Sequence, residues 1–297
     1  MQLVQMKPEH LPQVLALITE ADLCLRPDLA WLDYRTFGDP TCVPELLLLA
    51  QEDGRLVGFS VSCIRGERGV IKAFAVSVTY RRKGIATRLF DETESGLRAR
   101  GLGQVVVEGV APNYFVPGVD LHHTDAVAFL AQRGYETERV ARVDMDVDLR
   151  RADLETLEDE ARLGREGIIL RRARREEVTA AAEFALTHFS APWQQEVADA
   201  ARFEVPPLFV ALADARIIAF AAYDVTGMSR FGPTGTHPEC RRRGIGGALL
   251  RMCLRSIRDR GESRAEIAWA GPLGFYARAV GATIGRAYWC FRKSLTS

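Results

Sequence analysis

The stretch that decides the fold reads Arg241-Arg242-Arg243-Gly244-Ile245-Gly246-Gly247-Ala248. It joins a predicted strand, residues 228–236, to a predicted helix that ends near Gly261. Glycines let backbone N–H groups approach an anion closely, and the N-terminus of the helix adds a favourable dipole. Arginine adds a permanently charged fork. We therefore predict a phosphate-binding site and call this stretch the second cradle.

A second version of the stretch, which we call the first cradle, lies 160 residues earlier. It reads Arg81-Arg82-Lys83-Gly84-Ile85-Ala86-Thr87-Arg88. The same offset relates the helix-ending Gly101 to Gly261, and Pro112 to Pro272. Agreement at the cradle, at the helix ends and at a later proline indicates duplication of a whole domain.

The composition is typical of a globular protein, with 47% apolar and 26% charged residues in 297 and no formal net charge. This balance argues against nucleic acid or an anionic membrane as a partner. The six cysteines are widely spread without a CxxC motif, which favours reduced thiols. Neither a signal peptide nor an apolar run near the roughly 18 residues of a spanning helix is recognisable. We therefore expect a cytoplasmic protein.

Both halves predict the same order of elements, β-α-α-β-β-β-α-β-α-β-β. The residues between them are charged and poor in β-branched side chains, which predicts a helical connection. We expect an N-terminal domain at residues 1–150, a linker at 151–166 and a C-terminal domain at 167–297. The predicted fold class is α/β, with a mixed sheet in each domain.

The motif Arg-x-x-Gly-x-Gly/Ala directly after the fourth strand resembles the GNAT superfamily of acyl-CoA-dependent N-acetyltransferases. The residues that carry this resemblance are Arg81, Gly84, Ala86, Arg241, Gly244 and Gly246. The likeness covers nearly the whole chain except the linker, and the tandem architecture is similar to that of mycothiol synthase. It implies, in each half, a mostly antiparallel sheet flanked by helices, with splayed fourth and fifth strands.

The resemblance also implies acetyl-CoA as the cofactor, with its pyrophosphate at a cradle. Free backbone groups of strand four would bind pantetheine and polarise the thioester carbonyl, as an oxyanion hole does. By motif register these groups belong to Phe74 and Val76 in the first half, and to Thr234 and Thr236 in the second. The predicted cradle contacts are Arg81, Arg82, Lys83, Gly84, Ile85, Ala86, Thr87, Arg241, Arg242, Arg243, Gly244, Ile245, Gly246 and Gly247.

The cradles have two other possible interpretations. The basic residues could form a plain solvated helix start, although the glycines would then lack a purpose. A dinucleotide or P-loop site would need GxGxxG after the first strand or GxxxxGK[ST], and neither motif occurs.

Many GNAT enzymes use a tyrosine on the short helix after strand five to protonate the departing thiolate, and Tyr276 falls at that position. The first half has Leu130 there, which cannot donate a proton. The resemblance therefore favours the second half as catalyst, with the first half structural, regulatory or a degenerate CoA binder. The alternative is that Tyr276 is a core aromatic.

The first half carries an insertion of 16 residues, 113–128, that could close over the first cradle or cap the neighbouring domain. Its His122-His123 pair is expected to be solvated and not metal-binding. A general base is not identified; Glu204, Asp224 and His237 are candidates by sequence position. Three large aromatics could line an acceptor pocket or belong to the core: Trp193, Phe231 and Trp269.

The resulting hypothesis is a tandem N-acetyltransferase that moves an acetyl group to the primary amine of a small molecule by direct attack in a ternary complex. A non-catalytic acyl-CoA-binding or sensing protein is the first alternative. A protein or peptide N-acetyltransferase is the second, ranked lower because no acidic groove for a basic tail is visible. Neither a nucleic acid nor a membrane is expected as a partner, no metal is expected, and a monomer and a homodimer remain equally open.

Overall fold

The computed structural model describes residues 1–23, 26–137 and 139–296. The elements of the first half are β1 (Gln2–Gln5), α1 (Leu11–Glu20), α2 (Leu29–Thr36), β2 (Cys42–Glu52), β3 (Arg55–Arg65), β4 (Arg68–Val76), α3 (Ile85–Arg98), β5 (Gln104–Val107), β6 (Val119–Asp120), α4 (Thr124–Gln132), β7 (Glu136–Thr137) and β8 (Arg142–Asp148). Those of the second are α5 (Leu157–Arg165), β9 (Ile168–Arg172), α6 (Val178–His188), α7 (Ala191–Ala198), β10 (Leu208–Ala213), β11 (Arg216–Tyr223), β12 (Arg230–Thr236), α8 (Ile245–Asp259), β13 (Arg264–Ile267), α9 (Leu273–Val280), β14 (Thr283–Trp289) and β15 (Phe291–Ser294).

The chain forms two compact units whose limits differ from the predicted domain boundaries. The first unit comprises Met1–Arg142 together with Arg286–Ser297, and the second comprises Val143–Gly285. The end of the chain thus belongs to the first unit. Residues 143–150, predicted for the N-terminal domain, and the predicted linker at 151–166 belong to the second.

Strand pairing is the physical reason for these limits. In the first unit, β15 lies antiparallel to β5, with Phe291 opposite Val107, and its other edge pairs with β7. In the second unit, β8 lies antiparallel to β13, with Met145 opposite Ile267. Each sheet therefore contains the last strand of the other half of the sequence.

The sheet of the first unit has the order β1-β2-β3-β4-β5-β15-β7. Only β4 and β5 run parallel, and their pairing ends at Ile71 opposite Val107. Strand β4 continues to Val76 while still paired with β3 on its other side. Residues 72–76 of β4 therefore have one edge that β5 does not cover.

The second unit repeats this arrangement in six neighbouring strands of an eight-stranded sheet, which have the order β8-β13-β12-β11-β10-β9. Strand β12 runs parallel to β13 only at Arg230 and Phe231, and then continues to Thr236. The splayed fourth and fifth strands expected from the family resemblance are confirmed in both units. The mixed, mostly antiparallel sheets flanked by helices confirm the predicted fold class.

One amphipathic helix in each unit packs on its sheet and carries a cradle at its N-terminus. Helix α3 buries Ile85, Leu89 and Leu97, and α8 buries Ile245, Leu249 and Ile257, at spacings that place them on one face. A Cβ on Gly69 of β4 would lie 2.4 Å from Leu97, so the first helix and strand approach closely at that glycine. These helices hold each cradle at the end of a splayed strand.

Candidate active site

The first cradle is a tight turn that contains two left-handed residues. Arg82 has φ +60° and Gly84 has φ +77°, and Gly84 is the N-cap of α3. The carbonyl of Gly84 accepts the N–H of Arg88 at 3.1 Å. Helix geometry therefore leaves the N–H groups of Ile85 and Ala86, and of the next residue, without an acceptor in the helix. Such converging amides at a helix N-terminus suit a phosphate group.

Arg81 holds the first cradle in place. Its Nε donates to the carbonyl of Val76 at 3.2 Å, and its Nη1 donates to Asp125 Oδ2 at 2.8 Å. The guanidinium thereby ties the end of β4 to the start of α4. The side chain of Lys83 lies over a neighbouring aromatic ring, with its Nζ 4.7 Å from the centre of the Tyr80 ring.

A cavity of about 550 Å³ opens between the first cradle and the splayed strand. It follows β4 from Ile71 to Val76 and is bounded on the other side by the inserted segment, including Phe115, Val116 and His123. Residues 113–120 of this segment are buried throughout. Of the predicted first-half contacts, the cavity is lined by Phe74, Val76, Arg81, Arg82, Gly84, Ile85, Ala86 and Thr87; Lys83 is outside the lining.

Most charged groups of the cavity wall are neutralised by a partner. Glu108 pairs with Arg142 at 2.8 Å, Asp120 pairs with Arg286 at 3.0 Å, and the Nζ of Lys72 contacts Asp39 at 2.6 Å. Glu108, Asp120 and Lys72 line the cavity, and the charge of each is already balanced by its partner. The remaining wall is largely apolar.

His123 is the exception among these polar groups. Its Nε2 is buried without a hydrogen-bond partner among the residues that the structure describes, and the side chain lines the cavity. The expectation that both histidines are solvated is therefore wrong for His123. It holds for His122, whose side chain is 75% exposed beside Asp120. Residues 113–120 before it are buried, and His123 itself is half-buried.

Sequence reasoning missed several residues of the cavity wall. Lys72 interrupts an apolar strand, which is a signal for a buried charge with a partner. Glu108 likewise follows the apolar strand β5 directly. Phe115 and His123 lie in the insertion, whose place beside the first cradle was considered, but the sequence did not indicate that these two side chains line the cavity.

The second cradle has the same backbone geometry as the first. Arg242 has φ +62° and Gly244 has φ +85°, and Arg241 Nε donates to the carbonyl of Thr236 at 3.2 Å. The N–H of Ala248 is the first to bond back, to Gly244 at 3.1 Å. Three amides are again open at the start of α8, those of Ile245, Gly246 and Gly247.

Helix α5 lies against this second cradle. Arg162 Nη2 donates to the carbonyl of Arg243 at 2.9 Å and would lie 2.7 Å from a Cβ on Gly244. The side chain of Arg243 pairs with Glu166 at 2.6 Å. Residues predicted to be a linker thus form part of the second unit, anchored by the fully buried Leu163.

Tyr276 occupies a buried position on α9. The tyrosine is only 6% exposed and lies edge-on to Phe231 and Phe275, with ring centres 6.2 and 5.0 Å away. Burial raises the pKa of its hydroxyl to about 12, so the phenol stays protonated near neutral pH. The matching residue of the first unit, Leu130, is fully buried. The role of Tyr276 as proton donor stays a prediction.

The three candidate bases of the second half lie in three different environments. Asp224 is buried and bonded to Arg260 at 2.5 Å. The ring of His237 packs against that of His188 at 4.6 Å, and Glu204 is exposed. This geometry does not single out one of them.

The aromatics considered for an acceptor pocket are in packed surroundings. Phe231 is 1% exposed, and Trp193 packs against a helix–sheet cluster that includes Phe220. The backbone N–H of Trp269 donates to Asp144 Oδ1 at 2.6 Å. Phe231 is therefore a core residue of the second unit.

Two further properties concern the described part of the chain as a whole. None of its helices is both long and apolar enough to cross a membrane. It also contains no group of three or more His, Cys, Asp or Glu residues arranged to hold a metal ion.

The duplicated cradle, the splayed strands and the sheet order together define an acetyltransferase fold. The model of the acetyltransferase (GNAT) family matches residues 13–135 and again residues 173–281. The chain therefore belongs to the GNAT family and contains two tandem copies of its fold. No curated protein sequence is significantly similar to the chain.

Solved structures show the same fold over the whole chain. A tandem GNAT protein from the clavulanic acid biosynthesis pathway matches 100% of this chain and 99% of its own, at 18% identity and a TM-score of 0.72. A GCN5-related N-acetyltransferase from Sphaerobacter thermophilus matches 99% and 95%, at 18% identity and 0.70. A glucosamine N-acetyltransferase region of a fungal multi-domain β-N-acetylglucosaminidase matches at 20% identity and 0.77, covering 98% of this chain but only 38% of the fungal protein.

Proposed function

We propose that the protein is an acetyl-CoA-dependent N-acetyltransferase that acetylates the primary amine of a small molecule by direct transfer. We further propose that transfer takes place in the first unit. The observation that carries the proposal is the cavity of about 550 Å³, because one continuous space borders the open amides of a cradle, the uncovered edge of β4 and the inserted segment.

Each wall of the cavity has a chemical task in this proposal. The amides of Ile85, Ala86 and Thr87 would hold a pyrophosphate, and the uncovered edge of β4 at Phe74 and Val76 would hold the pantetheine. Acetyl-CoA supplies an acyl group activated as a thioester. A backbone N–H of β4 would donate to the acyl oxygen as negative charge develops there.

The character of the acceptor follows from the remainder of the wall. Phe115, Val116 and Leu23 line it, and the neighbouring carboxylates are already paired with arginines. A compact amine with apolar substituents matches these surroundings better than a polycation. The buried inserted segment also supports a small molecule over an extended peptide.

The first test is a CoA-release assay with a panel of small primary amines and basic peptides. Release that depends on a small amine, with intersecting initial-rate lines for the two substrates, supports direct transfer in a ternary complex. If calorimetry shows acetyl-CoA binding while no amine gives turnover, the protein is an acyl-CoA-binding protein instead. Turnover with the peptides alone would reassign it to protein acetylation.

His123 is the residue we propose as proton acceptor for the ammonium group of the acceptor, which must lose a proton before its nitrogen can attack the thioester. Its buried, unpartnered Nε2 can take a proton inside the cavity. We expect His123→Ala to lower kcat by about 10²-fold, in the range of general base catalysis. The neighbouring His122→Ala is the matched control and is expected to retain activity. Equal losses in both variants, or none in either, would contradict this role.

Tyr276 tests the competing assignment of transfer to the second unit. If transfer occurs in the first unit, Tyr276 takes no part in it, and Tyr276→Phe should change kcat by less than about 3-fold. Loss of a general acid would cost at least about 10²-fold. A loss of that larger size would instead support Tyr276 as proton donor. Leu130→Tyr is the companion variant, and its CoA-release rate is measured with the same amine.

A further inference from the structure

Cys42 on β2 and Cys63 on β3 lie directly opposite each other in the antiparallel pair. The N–H of Ile64 donates to the carbonyl of Thr41 at 2.9 Å, which makes the two cysteines a non-hydrogen-bonded pair. Cα atoms of such pairs are about 4.5 Å apart, with their side chains close together. Disulfides accept Cα separations of about 4.4–6.8 Å, so this pair can be bridged without moving the strands.

The two thiols also lie in an unusual electrostatic setting, beside Lys72, Arg65 and Asp39. The side-chain hydrogen bond from Cys42 lowers the pKa of Cys63 to about 7, helped by the positive charges of Lys72 and Arg65. The same hydrogen bond raises the pKa of Cys42. The Nζ of Lys72 lies 3.8 Å from Cys42 Sγ. A thiolate is therefore stabilised within the pair near neutral pH.

We propose that Cys42 and Cys63 form a redox-active dithiol that hydrogen peroxide converts into a cross-strand disulfide. Cys63 is fully buried, whereas Cys42 is half-buried, so peroxide is expected to reach Cys42 first. The pair titrates as a unit, and when its remaining proton lies on Cys63 the negative charge is on Cys42, where the ammonium of Lys72 at 3.8 Å stabilises it. This proposal is independent of acetyl transfer.

The reaction balances with peroxide as the only oxidant. The Cys42 thiolate attacks one peroxide oxygen, the O–O bond breaks, and the leaving hydroxide takes a proton to become water. The sulfur of Cys63 then attacks the Cys42 sulfenic acid, the S–O bond breaks and a second water leaves with the Cys63 proton. Two thiols lose two electrons in total, and one peroxide becomes two waters.

Lys72 connects this pair to the wall of the cavity. Its ammonium donates to Asp39 Oδ2 and to the carbonyl of Arg35, both at 2.6 Å, while its side chain lines the cavity. Bridging the cysteines removes the thiolate that faces this ammonium. The redox state of the pair therefore alters the charge balance beside the cavity.

Cys253 provides a contrast in the same chain. It is fully buried in the second unit, donates to the carbonyl of Ala221 at 3.5 Å, and burial raises its pKa well above the ordinary value. A thiol in such surroundings stays protonated and reacts slowly.

The test is oxidation of the full-length protein by a small excess of hydrogen peroxide, followed by alkylation under denaturing conditions and mass analysis. We expect loss of two hydrogens, protection of two of the six cysteines, and a peptide map that joins residues 42 and 63, all reversed by dithiothreitol. Cys253→Ser should leave this result unchanged. Cys63→Ser should stop the bridge and leave a sulfenic acid on Cys42 that dimedone traps.

Lys72→Met separates an electrostatic role from simple proximity. Without the ammonium, the midpoint of the pH–rate profile for bridge formation should move upward, while the bridge remains possible at high pH. The proposal is overturned if all six cysteines are still alkylated after peroxide treatment, or if the bridge joins another pair. The proposal is also overturned if, in the Cys63→Ser variant, peroxide oxidises Cys42 no faster than Cys253.

Discussion

Ala86→Asp is expected to lower kcat/KM for acetyl-CoA by about 100-fold, because it places a carboxylate where the first cradle would hold a pyrophosphate. Ala86 is the second residue of α3, and its N–H is one of the open amides. Losing one or two charge-assisted hydrogen bonds costs about 3 kcal/mol, which corresponds to roughly 100-fold in rate. The acid is favourable at a helix N-terminus, so the variant should fold as stably as the parent.

Gly246→Asp is the matched variant in the second cradle. Gly246 is likewise the second residue of its helix, α8, and a Cβ there would meet nothing closer than 3.6 Å. If transfer takes place in the first unit, this change should lower kcat/KM by less than about 3-fold. Steady-state kinetics with the same amine and thermal melting of both variants check the comparison.

The pattern of losses decides which cradle serves catalysis. A large effect of Gly246→Asp with little effect of Ala86→Asp would refute the proposed site and return catalysis to the second unit. Calorimetry adds the number of acetyl-CoA sites. A second site that disappears in Gly246→Asp without loss of turnover would identify the second unit as a binding unit.

Phe291→Ala is expected to destabilise the first unit, although residue 291 belongs to the second half of the sequence. Phe291 is 3% exposed and lies opposite Val107 on β5. Truncation of a buried phenylalanine costs about 3–5 kcal/mol. Hydrogen exchange should therefore accelerate along β5 and much less along β13.

Met145→Ala is the reciprocal variant. Met145 is 2% exposed and lies opposite Ile267 of β13 in the second unit. Its truncation costs about 2–5 kcal/mol, and faster exchange is expected along β13. If each variant instead accelerates hydrogen exchange in the strands of its own half of the sequence, the assignment of β15 to the first sheet and β8 to the second is refuted.

Local chemistry explains why the cradles could be predicted. Gly84 and Gly244 adopt positive φ, which glycine allows without strain, and each begins an amphipathic helix after a strand. These features depend on residues a few positions apart. The splay of strands four and five was inferred from the family resemblance and is confirmed at Ile71 and Phe231, where parallel pairing ends.

The catalytic assignment could not be derived in the same way. The pattern around Tyr276 located the residue but not its surroundings, which are the rings of Phe231 and Phe275. His123 looked like a surface histidine because a loop of mixed composition gives no sign of its own burial. Its position depends on how residues 113–120 pack within the first unit.

The sequence by itself determined that this protein is a duplicated domain with two cradles, since glycine positions, helix starts and the offset of 160 residues are written in the order of the residues. The GNAT fold was predicted from the resemblance of the cradle motif to that family. Only the tertiary structure decided that β8 and β15 complete each other's sheets, that α5 joins the second unit, and that the described cavity lies beside the first cradle. The physical reason is that strand partners and cavity walls come from residues far apart in the chain. Alternation of apolar residues marks a strand but does not name its neighbour.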